Sequence, residues 1–160
     1  MTRLAALIMV LALPAMAQEM TFSFTATEEC LASEGTFGEC VGASADACMQ
    51  SNAGGYTTVG MGYCLEQEWQ AWDGLLNLHY GEVRAAARAV DAEMRELGSS
   101  APSQADALRD MQRAWIAFRD AKCDYERSLW GGGTGGGPAT LSCLMQETAR
   151  QALYLEAQRN

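Results

Sequence analysis

The sequence predicts an all-α protein, an antiparallel three-helix bundle preceded by an irregular extension tied down by disulfides. Three observations carry that expectation. From Gly62 onward, apolar residues recur every three or four positions in three long runs, the spacing of helices with one buried face. Short connectors rich in Gly, Ser and Pro separate the runs, so consecutive helices fold back on one another. Six cysteines follow a segment patterned as an export leader, and cysteines in an exported chain meet an oxidising compartment. With 160 residues, 49% apolar and 19% charged, the composition is that of one globular domain with a real core.

The leader comes first. Arg3 precedes an unbroken apolar run, Leu4 to Leu13, then Pro14 and Ala15-Met16-Ala17. A basic start, a short hydrophobic stretch and an A-x-A site make residues 1–17 a signal peptide, cut between Ala17 and Gln18. The run is shorter than the ~20 residues a bilayer requires, and no later segment reaches that length. Residues 18–61 form the extension. Thr21-Phe22-Ser23-Phe24-Thr25 alternates like a short strand or extended arm. Glu28 to Ser33 and Ala45 to Gln50 suit one or two helical turns each, with Thr27 and Ser44 as N-caps. Gly35, Gly38, Gly42, Gly54, Gly55 and Gly60 interrupt the remainder.

The bundle occupies residues 62–160. Its first helix carries Leu65, Trp69, Trp72, Leu76, Tyr80, Val83, Ala87, Val90, Met94 and Leu97 on one stripe and ends at Gly98. The second carries Leu108, Met111, Trp115, Phe118, Tyr125 and Leu129. The glycine run from Gly131 to Gly137, closed by Pro138, ends it. The third carries Leu141, Leu144, Thr148, Ala152 and Leu155.

Cys30, Cys40, Cys48, Cys64, Cys123 and Cys143 contain no C-x-x-C, so neither a zinc ribbon nor a redox pair is indicated. Six cysteines allow 15 connectivities, and spacing does not choose among them. The expectation is neighbour pairing, 30–40, 48–64 and 123–143, the last favoured by the glycine-rich turn between two helical segments. Each closed loop stabilises by about 2 to 4 kcal/mol.

Charge divides the chain. Residues 18–83 hold ten acids and no Lys or Arg, whereas 84–160 balance ten acids with ten bases. The net charge of −9 disfavours nucleic acid and anionic membrane surfaces as partners. An acidic half aids solubility or meets a basic protein. Chemistry has little to stand on. The glycine run lacks the Lys-Ser/Thr pair and preceding strand of a phosphate loop. His79 stands alone without ligand spacing and is expected on the helix surface. No G-x-S-x-G occurs and no acid/base pair separates itself from the twenty acids, so neither catalytic residue, metal nor cofactor is expected.

Polar residues beside the stripes are more telling. Asp73, Asn77 and Tyr80 share one face of the first helix; Gln112, Trp115 and Arg119, with Asp120 beside them, repeat the spacing on the second, and the third offers Thr148 and Arg150. Such groups on facing helices either fix register as a network or line a ligand cleft. In the first case Asn77→Ala or Arg119→Ala destabilises by about 1 to 3 kcal/mol.

The run Trp72-Asp73-x-x-Leu76-Asn77-x-x-Tyr80, then Gln112-x-x-Trp115-x-x-x-Arg119-Asp120-x-x-Cys123, then Cys143 and Thr148, resembles the lysozyme-inhibitor-like LprI N-terminal domain family over roughly residues 48–155. The resemblance implies an exported, disulfide-bonded helical domain of bacteria, in a family named for a member that inhibits lysozyme. The chain departs from the family in adding Cys30 and Cys40 and in lacking a lipoprotein cysteine after Ala17. The expected function is that of a periplasmic or secreted binding protein, a lysozyme inhibitor acting by occlusion. The alternative is a cell-envelope structural or interaction module that does not bind lysozyme. Glu28, Glu29, Glu34, Phe37, Glu39 and Tyr56, all in the acidic half, are the candidate contacts with a basic partner such as lysozyme.

Overall fold

A computed structural model describes residues 19–159; the leader and its cleavage point lie outside them. Among the described residues there are six helices and no strand: α1 (Thr25–Ala32), α2 (Phe37–Cys40), α3 (Ala43–Ser51), α4 (Thr58–Glu96), α5 (Gln104–Ser128) and α6 (Gly136–Ala157).

The three long helices form the bundle. At 1.5 Å per residue, the 39 residues of α4 extend about 58 Å. The chain turns at Gly98 and returns along α5, and α6 then runs parallel to α4 with both neighbours packed on it. Cross-helix bonds fix that order: Trp69 Nε1 donates to Thr148 Oγ1 (3.2 Å), Gln151 Nε2 to Gln112 Oε1 (3.0 Å) and Lys122 Nζ to Glu147 Oε1 (2.7 Å). Trp72, Leu76, Met145, Ala149, Ala152 and Leu155 make the core, and Phe24 meets Trp72 edge-on at 5.4 Å. The bridges are Cys30–Cys40, Cys48–Cys64 and Cys123–Cys143, with no free cysteine among the described residues.

The extension is more regular than expected: the helical turns expected at Glu28 to Ser33 and Ala45 to Gln50 fall on α1 and α3, and α2 adds a third short helix between them. Of the expected strand or arm, Thr21 to Phe24 lie outside any helix or strand and Thr25 opens α1, with Phe22 and Phe24 half-buried against the core. Thr27 and Ser44 are not N-caps. Each lies inside its helix, fully buried, and its hydroxyl serves the other helix instead: Thr27 N donates to Ser44 Oγ (3.0 Å) and Ser44 N to Thr27 Oγ1 (3.2 Å).

Boundaries shift for identifiable reasons. Helix α4 begins before Gly62 because Thr57 caps it, its Oγ1 accepting from Gly60 N at 3.1 Å. Gly136, Gly137 and Pro138 belong to the first turn of α6 rather than to the connector; proline fits there because that turn's N–H groups have no intrahelical acceptor. The α5 stripe is only half core. Leu108, Met111 and Trp115 are half-buried, whereas Phe118, Tyr125 and Leu129 are 58%, 63% and 62% exposed. The buried line of α5 runs through Gln112 and Cys123, and the three outer residues sit to one side of it. Leu97, at the end of the α4 stripe, is also exposed.

Candidate partner-binding face

The acidic half is fixed to the bundle by a residue that resembles a surface charge in the sequence. Glu68 sits on the apolar stripe of α4 between Leu65 and Trp72 and is fully buried. Its Oε1 accepts from Thr27 Oγ1 (3.1 Å), Gly42 N (2.7 Å) and Trp72 Nε1 (3.2 Å), and its Oε2 from Ala45 N (2.6 Å). Four donors and no acceptor suit a carboxylate, and two of them are the amides at the start of α3, where the helix dipole favours negative charge. One side chain thus ties α1, α3 and α4 together. Its signal was available in the sequence as an acid on an apolar stripe.

Above this anchor the extension is braced at several points. Asn52 exchanges bonds with Thr21, accepting at Oδ1 (2.9 Å) and donating to the carbonyl (2.8 Å), while Tyr63 donates to Met20 O at 2.9 Å. Thr36 donates to Glu39 Oε2 from both its hydroxyl (2.7 Å) and its amide (2.8 Å). Those two bonds, the hydroxyl's first, hold the Glu39 carboxyl below its ordinary value. Glu28, Glu29, Glu34 and Glu39 all stand exposed, and no Lys or Arg lies within ion-pair distance of them among the described residues. Tyr56 is 64% exposed. Phe37 differs from the expectation of a free anchor: it is half-buried, with the Arg150 guanidinium 4.5 Å over its ring.

The expected polar network divides into separate pairs. Asn77 Nδ2 donates to Asp73 Oδ2 (2.9 Å), an exposed contact within α4. Arg119 pairs with its own neighbour Asp120 at 2.8 Å and lies 5.0 Å over Trp115. Tyr80 is covered by Arg84 at 5.9 Å. Gln112 and Thr148 do reach across, but to Gln151 and Trp69, and no hydrogen bond joins Asn77 to Arg119. His79 is buried rather than on the surface, its Nδ1 3.1 Å from Ala152 O, because α6 covers that side of α4. Glu147 is buried too and receives Lys122.

Among the described residues no three His, Cys, Asp or Glu side chains gather as metal ligands, and no helix is long and apolar enough to cross a membrane. The concave features are open grooves, such as one of about 420 Å³ between Asp124, Arg127 and the glycine connector. Fold and face together define a disulfide-braced helical module with an acidic platform at one end. The chain belongs to the lysozyme inhibitor LprI family, whose model matches residues 48–155. It is 31% identical over 93 residues to the uncharacterized protein R02472 of Rhizobium meliloti, covering 58% of this chain and 67% of that one. Identity is 27% over 135 residues to an uncharacterized 17.7 kDa protein of Rhodobacter capsulatus (82% and 83% covered). It is 30% over 130 residues to the uncharacterized protein YecT of Escherichia coli (71% and 72% covered). No solved structure matches. The family match begins at Cys48, so α1, α2 and the Cys30–Cys40 bridge precede it. Three disulfides in such a family suit an exported protein.

Proposed function

We propose that this protein is a periplasmic or secreted binding protein that inhibits lysozyme by occlusion, with no chemistry of its own. The observation that carries the reading is the set of exposed glutamates without an ion-pair partner among the described residues, Glu28, Glu29, Glu34 and Glu39, on a platform braced by Glu68 and by two disulfides. A predominantly acidic field speeds encounter with a basic protein, and a braced platform loses little freedom on binding. The family's name supplies the target class. The test is a lysozyme activity assay with the exported protein, titrated at low and at physiological salt. Inhibition should weaken as salt rises and fall when the four glutamates are changed to Gln. No inhibition of either a chicken-type or a goose-type lysozyme at micromolar protein would overturn the reading.

One observation favours the envelope-module alternative. Phe118, Tyr125, Leu129 and Trp130 are exposed along the second half of α5 and just beyond it, outside the acidic half of the sequence. Capture of an envelope component that survives the four Glu→Gln changes and is lost on Phe118→Ser and Tyr125→Ser would support that reading instead.

A further inference from the structure

We infer that the corner between α3 and α4, residues 52–60, is the apolar anchor with which the acidic half seats in its partner. The inference rests on the binding reading above and specifies how binding occurs. Tyr56 and Val59 are 64% and 82% exposed, and among the described residues they are the large apolar side chains exposed in the extension and the first turn of α4. Folding does not account for their position, since both face solvent.

The corner that presents them is rigid. A Cβ on Gly55 would collide with the Met49 backbone, and one on Gly60 with the backbone of Gly54 and Gly55, so main chain packs directly on main chain. Thr57 closes the turn, donating to Gly54 O from its amide (2.9 Å) and its hydroxyl (2.6 Å). The Cys48–Cys64 bridge joins the two helices on either side. An aromatic ring on such a support loses little freedom when it binds, which is what distinguishes an anchor from a passing contact.

Charge sets the partner. The flanking helices carry exposed Asp46 and Glu66, and residues 18–83 supply no Lys or Arg. The occupant is therefore a basic protein with a groove that takes an aromatic ring. A glycan-binding cleft fits, because it offers apolar faces to sugar rings and polar groups to their hydroxyls, and a tyrosine presents both. Long-range attraction comes from the glutamates and retention from the corner.

The experiment measures binding of the exported protein to immobilised chicken-type lysozyme. Tyr56→Ser with Val59→Ser should weaken binding at least tenfold through faster dissociation, with melting temperature and salt dependence unchanged. Leu97→Ser, at an equally exposed apolar site outside that half, should bind as wild type does and serves as the control. Wild-type binding with the double variant within twofold of it would overturn the inference and leave the binding reading standing. Equal weakening by Leu97→Ser would overturn it as well. Absence of wild-type binding would overturn both.

Discussion

Two carboxylates near opposite ends of α4 perform the same local task in opposite surroundings. Glu68 accepts from the first amides of α3 in a fully buried position, and Asp91 accepts from the start of α5 beside solvent. At Asp91 the donors are Ser103 Oγ (2.7 Å), Gln104 N (2.7 Å) and Ala105 N (3.0 Å), so both acids stop a neighbouring helix end from fraying. The difference lies in what water can replace. If Asp91 lets go, solvent meets the amides of α5, and the bundle still has its core. If Glu68 lets go, two helix amides, a hydroxyl and an indole N–H are left dry. The same geometry is therefore a convenience at one end of α4 and a requirement at the other.

The comparison is most strongly tested at Glu68. Glu68→Ala should destabilise by about 3 to 5 kcal/mol, read by urea denaturation, because several buried donors lose their partner at once. A loss below 1 kcal/mol would show that the extension does not depend on this side chain. Next in size is the outer bridge. Cys30→Ser with Cys40→Ser should lower stability by about 2 to 3 kcal/mol, the value for a short closed loop. Hydrogen exchange should then rise in α1 and α2 while α4 to α6 keep their protection.

A smaller effect is expected at Asp91. The Ser103 hydroxyl first, then the Ala105 and Gln104 amides, hold its carboxyl below the ordinary value. A lowered value in the folded state means that the stabilisation is complete above about pH 4, the unfolded value, and is lost as pH falls through the folded one. Asp91→Asn should therefore melt earlier at neutral pH, by less than Glu68→Ala, and the gap should close on acidification. The smallest effect belongs to Asn77. Its partner is Asp73 on the same exposed helix face, so Asn77→Ala should change stability by at most about 0.5 kcal/mol, well under what a cross-helix network would give.

The long helices were legible in the sequence because apolar spacing is a property of the element itself. Leu65, Trp72 and Leu76 fall on the stripe and are buried, and Thr57 displaces only the boundary. What escaped depends on other elements. Thr27 and Ser44 carry the residue types of N-caps, but nothing local tells that each hydroxyl serves a helix seventeen residues away. His79 reads as surface until α6 is known to lie over it. Phe118 and Tyr125 continue the three-and-four stepping of α5 yet drift from the line through Gln112 and Cys123, and only the position of α6 decides between the two. In the candidate face, the exposed glutamates follow from composition, whereas the covering of Phe37 by Arg150 needed the third dimension.

The three bridges close over sequence separations of 10, 16 and 20, one after another, without nesting or crossing. A chain delivered N-terminus first into an oxidising space therefore presents each cysteine with its native partner before the next pair arrives. Sequential oxidation alone yields the right isomer, with no wrong pairing to undo. Maturation should then require an oxidant but no reshuffling catalyst, so yield in a host lacking a disulfide isomerase should equal that in one that has it.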